Sequence, residues 1–477
     1  MNVVHPHILA LARSGAASRA WAAFVAAGLD QVAGNPATLT LKGRLLKDRA
    51  RKATGDVSAR LYLQSAKAYA DAAALRPDSY PLINAATMSL FAGQPSHMAL
   101  LAQKVLTMLD TGMGLGETPY WHEATRAEAL LLLDRKADAQ AALNRAIIAA
   151  PQAWEDRAAT LRQFRQIAEF RNQDSGWLSN YAPPASLYFK GMIGVAADDM
   201  RGGEMAHEAV TNANAGFGYG ALAAGADILI AEALIDVGAE LHLILPVFSS
   251  AFRAQSVAPY GKAWLPRFDR LFEQAASVTV AATGDRLTEA AIGFAAQVAK
   301  GAAMENAGRL EGRTIGLELN DQPSPVFERA SDLFVSLARS APHPAAALNK
   351  GVTLVTLVSD DVGDDRDSWM PVADGFYAHN AKSVDAVNAL LIQLKKIAPG
   401  ARSSVSISAV ENRADAADAH MAKALRLAQC AAAGTSIADV SSARAILSAC
   451  PKLRIEPLGE LPGTGGATEI YAIEPMA

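Results

Sequence analysis

Two groups of residues in this 477-residue chain have the types and spacing to do chemistry. The first lies in NAGFGYGALAAGADILIAEALIDVGAELHLILP, Asn214 to Pro246. Gly216, Gly218 and Gly220 read as a glycine-rich turn where the backbone can approach a ligand closely. Leu222, Ala226, Leu229 and Ala233, with Ile230, Leu234 and Val237, then recur at helical spacing. A helix that opens on exposed backbone N–H groups attracts anions. The stretch therefore predicts a nucleotide or phosphate pocket, to which Ser249, Ser250 and Thr283 add polar groups from the ends of later strands. The second group is acidic. Asp360 and Asp361 end the apolar run Val352 to Val358, and Asp374 lies 14 residues beyond Asp360 (374 − 360). Two carboxylates at buried strand ends can hold Mg²⁺; the alternative is a solvated acidic loop.

These residues need elements to hold them. Gly238 stands where a left-handed cap would end the helix, and Leu241 to Leu245 reads as a strand covered on both faces. Further strands are expected at Leu187 to Val195, Val278 to Ala282 and Thr314 to Leu319. Helices are expected from Trp264 to Ala275 and from Thr288 to Ala307. Such alternation implies a parallel sheet with right-handed crossovers, and ligands on such sheets sit beyond the carboxyl ends of the strands. Gly216, Gly218 and Ala221 also fit a G-x-G-x-x-A dinucleotide fingerprint. Yet Ala206 to Asn214 does not read as the preceding strand, and Glu240 begins the next strand instead of ending it. The glycines could instead only allow a helix to pack closely on the sheet. Asp227 and Glu232 share the helix but are five residues apart, so they point to different faces. Val326 to Ser340 is helix-like and leads through the hinge SAPHP to the last region.

The first 180 or so residues are rich in alanine, leucine and arginine and lack strand-like alternation. Leu61 to Gly93 and Tyr120 to Pro151 share one grammar: small alanines where two helices meet, and a proline after a helix end. Units of about 34 residues of this kind are tetratricopeptide-like, and Ala66, Tyr69, Ala72, Leu75 and Pro77 follow the pattern. The expected role is a groove for a protein partner; the alternative is a stalk that only packs on the rest of the chain. The polar, proline-ended segment Asn172 to Pro184 marks the first domain boundary.

Composition bounds the rest. Net charge is −4 with dispersed Lys and Arg, which argues against a nucleic-acid partner. Two cysteines imply no disulfide framework. The first 15 residues lack the charged and apolar regions of a signal peptide, and no uncharged apolar run reaches about 18 residues. A cytoplasmic location without membrane contact is the expectation.

Three resemblances add to this reading. YPLINAA, Tyr80 to Ala86, resembles the helical TRAFs-binding region that precedes the kinase domain in apoptosis-signal-regulating kinases. GADILIAEALIDVGAELHLILP, followed by Ser256, Val257, Trp264, Arg267 and Phe268, resembles the SLOG superfamily. That resemblance implies a Rossmann-like domain that binds or hydrolyses nucleotide-derived ligands. Relatives often carry Ser-Gly-His at the end of the first strand, where this chain has Lys190-Gly191-Met192. Loss of the histidine favours binding, or no ligand role, over hydrolysis. The third resemblance is to class III nucleotide cyclases. Asp360-Asp361-Val362-Gly363 lies on their first metal strand end, and Ala373-Asp374-Gly375 on their Gly-Asp hairpin. Arg426 falls on the arginine that stabilises the transition state, and Ala422 on the usual asparagine. The ending LRIEPLGELPGTGGATEIYAI is similar to the family's two closing strands. Within it, Pro462 to Glu469 resembles the phosphate motif of SLOG phosphoribohydrolases, but the strand that follows favours a hairpin turn.

The cyclase resemblance implies Mg²⁺ at Asp360 and Asp374, in an active enzyme, and a homodimer. Two-metal chemistry needs ions about 4 Å apart, and the family places two helices between its aspartates, for which 14 residues leave no room (374 − 360). Ala422 also removes a donor to developing charge, a loss of roughly 10²–10³ in rate. The expected fold is multidomain: an all-α TPR-like region over 1–180, an α/β Rossmann-like domain with a parallel sheet over 185–322, and an α+β cyclase-like domain over 345–477. The expected function is that of a signalling scaffold. It binds a protein partner through the repeats and a nucleotide-type ligand centrally, with a degenerate cyclase tail. The alternatives are an active adenylate or guanylate cyclase and a central nucleotide or N-glycoside hydrolase.

Overall fold

The computed structural model describes residues 8–9, 11–12, 17–112, 118–282, 284–323, 332–341, 348–373, 375–462 and 467–475. It divides into two compact units, Met1–Pro183 and Pro184–Ala477.

The described part of unit 1 is helical: α1 (Ala17–Ala26), α2 (Pro36–Ala50), α3 (Gly55–Leu75), α4 (Ser79–Phe91), α5 (Pro95–Asp110), α6 (Pro119–Leu132), α7 (Lys136–Ala149) and α8 (Trp154–Phe170). From α2 to α7, neighbours in sequence are neighbours in space. Prolines open α2, α5 and α6, where a missing N–H breaks no helical bond. The alanine grammar has a steric origin. Ala66, Tyr69 and Ala72 of α3 are buried, and a Cβ on Gly43 of α2 would lie 2.7 Å from the Tyr69 ring. The two helices cross at that glycine, and Ser65 Oγ donates to the Gly43 carbonyl at 2.7 Å.

Unit 2 holds two sheets. The first contains β1 (Ala185–Gly191), β2 (Ala215–Gly220), β3 (Glu240–Leu245), β4 (Ser277–Val280), β5 (Thr314–Asn320) and β6 (Leu333–Ser336). All pairs are parallel, in the order β4-β3-β2-β1-β5-β6. The chain runs outward from β1 to β4, then α12 (Glu289–Leu310) carries it back to β5 on the other side of β1. The other crossover helices are α9 (Met200–Asn212), α10 (Ala226–Asp236) and α11 (Trp264–Gln274).

Two expectations need correction here. Gly216, Gly218 and Gly220 do not form a turn; they lie in β2, and none has positive φ. A Cβ on Gly218 would fall 2.2 Å from Leu234 Cδ1 of α10, and one on Gly220 2.6 Å from the Phe189 ring. Their role in the fold is close packing. Val326 to Ser340 is not a helix throughout: Leu333–Ser336 is β6, paired with β5, while 324–331 lies outside the described residues.

The second sheet contains β7 (Val352–Ser359), β8 (Met370–Pro371), β9 (Tyr377–Asn380), β10 (Ser403–Val410), β11 (Ser436–Asp439), β12 (Leu453–Leu461) and β13 (Thr468–Pro475). Its order is β12-β13-β11-β10-β7-β9-β8, mixed because β10 and β11 are parallel and the other pairs antiparallel. Its helices are α13 (Ala386–Ile397), α14 (Arg413–Cys430) and α15 (Val440–Ala449). α12 packs on β1 and β2 of the first sheet and on β10 and α15 of the second. The two sheets thus share a helical layer.

Candidate functional site

A cavity of about 870 Å³ opens at the carboxyl ends of the first sheet. It borders β1 (Phe189, Lys190, Gly191), β2 (Gly220), β3 (Ile244) and β5 (Asn320). β1 and β5 flank the point where the strand order reverses, and that is where an open parallel sheet leaves a crevice.

The sequence builds this corner with two glycines. A Cβ on Gly191 would sit 2.5 Å from Ala226 Cβ and 2.6 Å from Asp227 N. Gly225 has φ 108, and a Cβ there would lie 2.6 Å from the Met192 carbonyl oxygen. β1 therefore ends against the first turn of α10, and Ala226 N donates to Met192 O at 3.0 Å. This is why β1 stops at Gly191 and does not continue to Val195.

Asp227 closes the corner. Gly191 N donates to its Oδ1 at 2.5 Å and Ala223 N to its Oδ2 at 3.1 Å. The side chain is buried. Burial pushes its pKa up to about 6, against the pull of the two N–H donors and the charge of Lys190. Beside the helix opening, the Gly191 and Ala223 N–H groups are thus taken by the chain's own carboxylate, and the first helical N–H, of Ala226, by Met192 O. A ligand anion must look instead to the cations on the cavity wall: Lys190, Arg286 and Arg339. Arg339 Nε is held by Asp321 Oδ2 at 2.7 Å, and Arg286 Nη1 by Glu411 Oε1 at 3.0 Å. Glu232 points away from this site. It is bound by Arg267 and Arg270 of α11, and Arg267 also stacks over Trp264 at 4.4 Å. Glu232 therefore ties two helices together.

Of the residues expected to bind nucleotide, Gly220 lines the cavity, while Gly216 and Gly218 lie deeper in β2. Ser249 and Ser250 open the helical turn Ser249–Phe252 but, unlike Phe252, do not line the cavity. Thr283 lies outside the described residues.

Of the expected metal pair, Asp360 lies among the described residues. Asp360 Oδ1 accepts from Arg402 N at 2.7 Å, and Oδ2 from Arg402 Nε at 2.6 Å. Asp361 is exposed, and its Oδ1 accepts from Gly363 N at 2.9 Å in a turn of its own. Asp374 lies outside the described residues, and the described ones contain no group of three His, Cys, Asp or Glu able to hold a metal ion. Asp360, the described member of the pair, is thus engaged on both oxygens by Arg402. Between β7 and β9 the chain forms one short 3₁₀ turn, Arg366–Ser368, and β8, not the paired helices that the cyclase resemblance requires. Arg426 is exposed on α14 and donates to the Pro462 carbonyl. Ala422 is exposed on the same helix. β12 and β13 pair as a hairpin, whose tip at 463–466 lies outside the described residues.

Residues 2–89 match the family model described as Tetratricopeptide Repeats-Sensor. The N-terminal region is accordingly TPR-like, a kind of repeat that serves protein interaction and scaffolding. Neither a curated protein nor a solved structure matches the chain. The protein is therefore a multidomain α/β chain, with a TPR-like helical region, a parallel six-stranded sheet and a second, mixed sheet. No helix among the described residues is long and apolar enough to cross a membrane.

Proposed function

We propose that this protein is a cytoplasmic scaffold that couples a protein partner, held by the TPR-like region, to a nucleotide-type ligand in the cavity of the first sheet. The carrying observation is the place and make-up of the cavity. It lies at the strand-order reversal, has apolar walls from Phe189, Ile244 and Phe252, and bears cations at Lys190, Arg286 and Arg339. Apolar walls suit a base, and the cations suit phosphates. A thermal-shift series with nucleoside mono-, di- and triphosphates and NAD tests this. A true ligand at about 100 times its Kd adds about 2.7 kcal/mol of stability; a flat series across all of them removes the reading.

For the second sheet we propose a role in homodimerisation or partner binding, without cyclase chemistry. The Asp360–Arg402 pairing supports this. Incubation with ATP or GTP and Mg²⁺ or Mn²⁺ is expected to give no cyclic product. A product that disappears in Asp374→Ala would restore the active cyclase. Hydrolysis of an N-glycosidic bond is the second reading for the cavity. It is favoured by Asp227, a wall carboxyl whose pKa is pushed up to about 6 by burial, in the range where a general acid works. Release of free base from NAD or a nucleoside monophosphate would support it.

A further inference from the structure

The cavity and the second sheet are joined in three ways. First, they share α12. Ile292, Ala295 and Ala299 of that helix line the cavity, while further along Glu305 binds Arg444 of α15 at 2.8 Å. Second, the chain entering β7 borders the cavity with Leu348 and Asn349. Glu289 N and Ala290 N, at the opening of α12, donate to the carbonyls of Asn349 and Lys350 at 3.0 and 2.9 Å. Third, Arg286 on the cavity wall binds Glu411, the residue after β10, which also accepts from Asn349 Nδ2 at 3.3 Å. β7 and β10 meet there, since Val352 pairs with Val410.

Arg286 differs from the other cations of the wall. Its loop is fixed by Gln255, whose Nε2 donates to Asp285 O at 2.6 Å and whose Oε1 accepts from Leu287 N at 3.0 Å. Its side chain is 70% exposed and reaches across to the second sheet. Arg339 and its partner Asp321 follow β6 and β5, both strands of the first sheet, so their pair makes no link to the second sheet. An exposed ion pair contributes little on its own. A phosphate, which can accept two parallel N–H bonds from a guanidinium, competes well against it.

We infer that Arg286 is a ligand-binding residue held in reserve by Glu411, and that an anionic group on the cavity's ligand takes the guanidinium and frees Glu411. The joined ends of β7 and β10 thereby read whether the cavity is filled. This rests on the nucleotide reading of the cavity. Linkage fixes the sign: whatever frees Arg286 must tighten binding, because the competent state is then more populated.

Calorimetry on the full chain with ATP as the probe tests it. Glu411→Gln is expected to tighten ATP binding by about 2- to 5-fold, the most that an exposed ion pair can withhold, and Arg286→Ala to weaken it about tenfold or more. Glu411→Gln should add nothing in the Arg286→Ala background. ATP should raise amide exchange at the β7 and β10 ends that meet at Val352 and Val410 in the wild type, and not in Arg286→Ala. Unchanged affinity in Glu411→Gln overturns the inference while leaving the nucleotide reading standing, as does tightening that survives without Arg286. If neither ATP nor any other nucleotide of the thermal-shift series binds the wild type or Glu411→Gln, the nucleotide reading falls and this inference with it.

Discussion

Gly301→Ala is expected to destabilise unit 2 by about 3 kcal/mol, at the upper end of what an overpacked contact usually costs. The added Cβ would lie 1.9 Å from the Arg444 carbonyl oxygen, 2.5 Å from its carbon and 2.8 Å from its Cα. These are backbone atoms of α15, so no side-chain rotation relieves the clash; α12 and α15 must move apart. The crossing also carries Glu305, which accepts from Arg444 Nε and Tyr471 Oη, both at 2.8 Å. Separating the helices strains both bonds in a half-buried site. Gly293 on the same helix has nothing within 4 Å of an added Cβ. Gly293→Ala should therefore gain about 0.5–1 kcal/mol, the ordinary benefit of alanine over glycine in a helix. One substitution on one helix thus has opposite signs at two positions. Urea unfolding of both variants is the check; equal effects would mean that α12 is not pinned to α15 at Gly301.

That crossing also shows what the sequence could and could not reveal. The helix from Thr288 to Ala307 is legible in the sequence near its observed bounds, and Thr288 caps it, its Oγ1 accepting from Ala291 N at 3.1 Å. Its second partner, α15, was not legible, because nothing in one helix's pattern says what lies on its other face. β3, β4, β5 and β7 were legible as short apolar runs near their observed positions. β2 was missed because glycine is depleted in strands and marks turns. A signal was present in Gly216-Phe217-Gly218-Tyr219-Gly220, where small and aromatic residues alternate with period two. The glycine face admits Leu234 of α10, and on the other face Tyr219 stacks on His242 at 4.7 Å. β6 is not legible as a strand, because Leu333 to Leu337 is too short for its period to decide. At the candidate site, the role of Asp227 depends on Gly191, 36 residues away, which only the folded chain brings to it. The same holds for Asp360, whose fate is set by Arg402, 42 residues away.

Asp227→Asn is expected to change how stability depends on pH, by about 3 kcal/mol between pH 4 and pH 7. In the folded chain, burial raises the Asp227 pKa from its ordinary 3.8 to about 6. The native state therefore holds a proton between about pH 4 and pH 6 that the unfolded chain has released. Stability from this group is present below pH 4, falls as pH rises to about 6 and is flat beyond, and a rise from 3.8 to about 6 corresponds to about 3 kcal/mol. Asparagine does not titrate, so this slope vanishes. It also has only one acceptor oxygen for two N–H donors, from Gly191 and Ala223, and the donor left facing its NH₂ group costs about 1–3 kcal/mol. The variant should thus be less stable than the wild type at pH 4. At pH 7 it should be equal to it or up to about 2 kcal/mol more stable, because it escapes burying a carboxylate. The other titrating groups are common to both proteins, so the difference between the two stability curves isolates Asp227. Parallel curves from pH 4 to 7 would mean that the carboxylate is ionised throughout. The corner where β1 meets α10 would then present a fixed negative charge to the cavity, which excludes a phosphate from that end and leaves Arg286 and Arg339 as its receiving side.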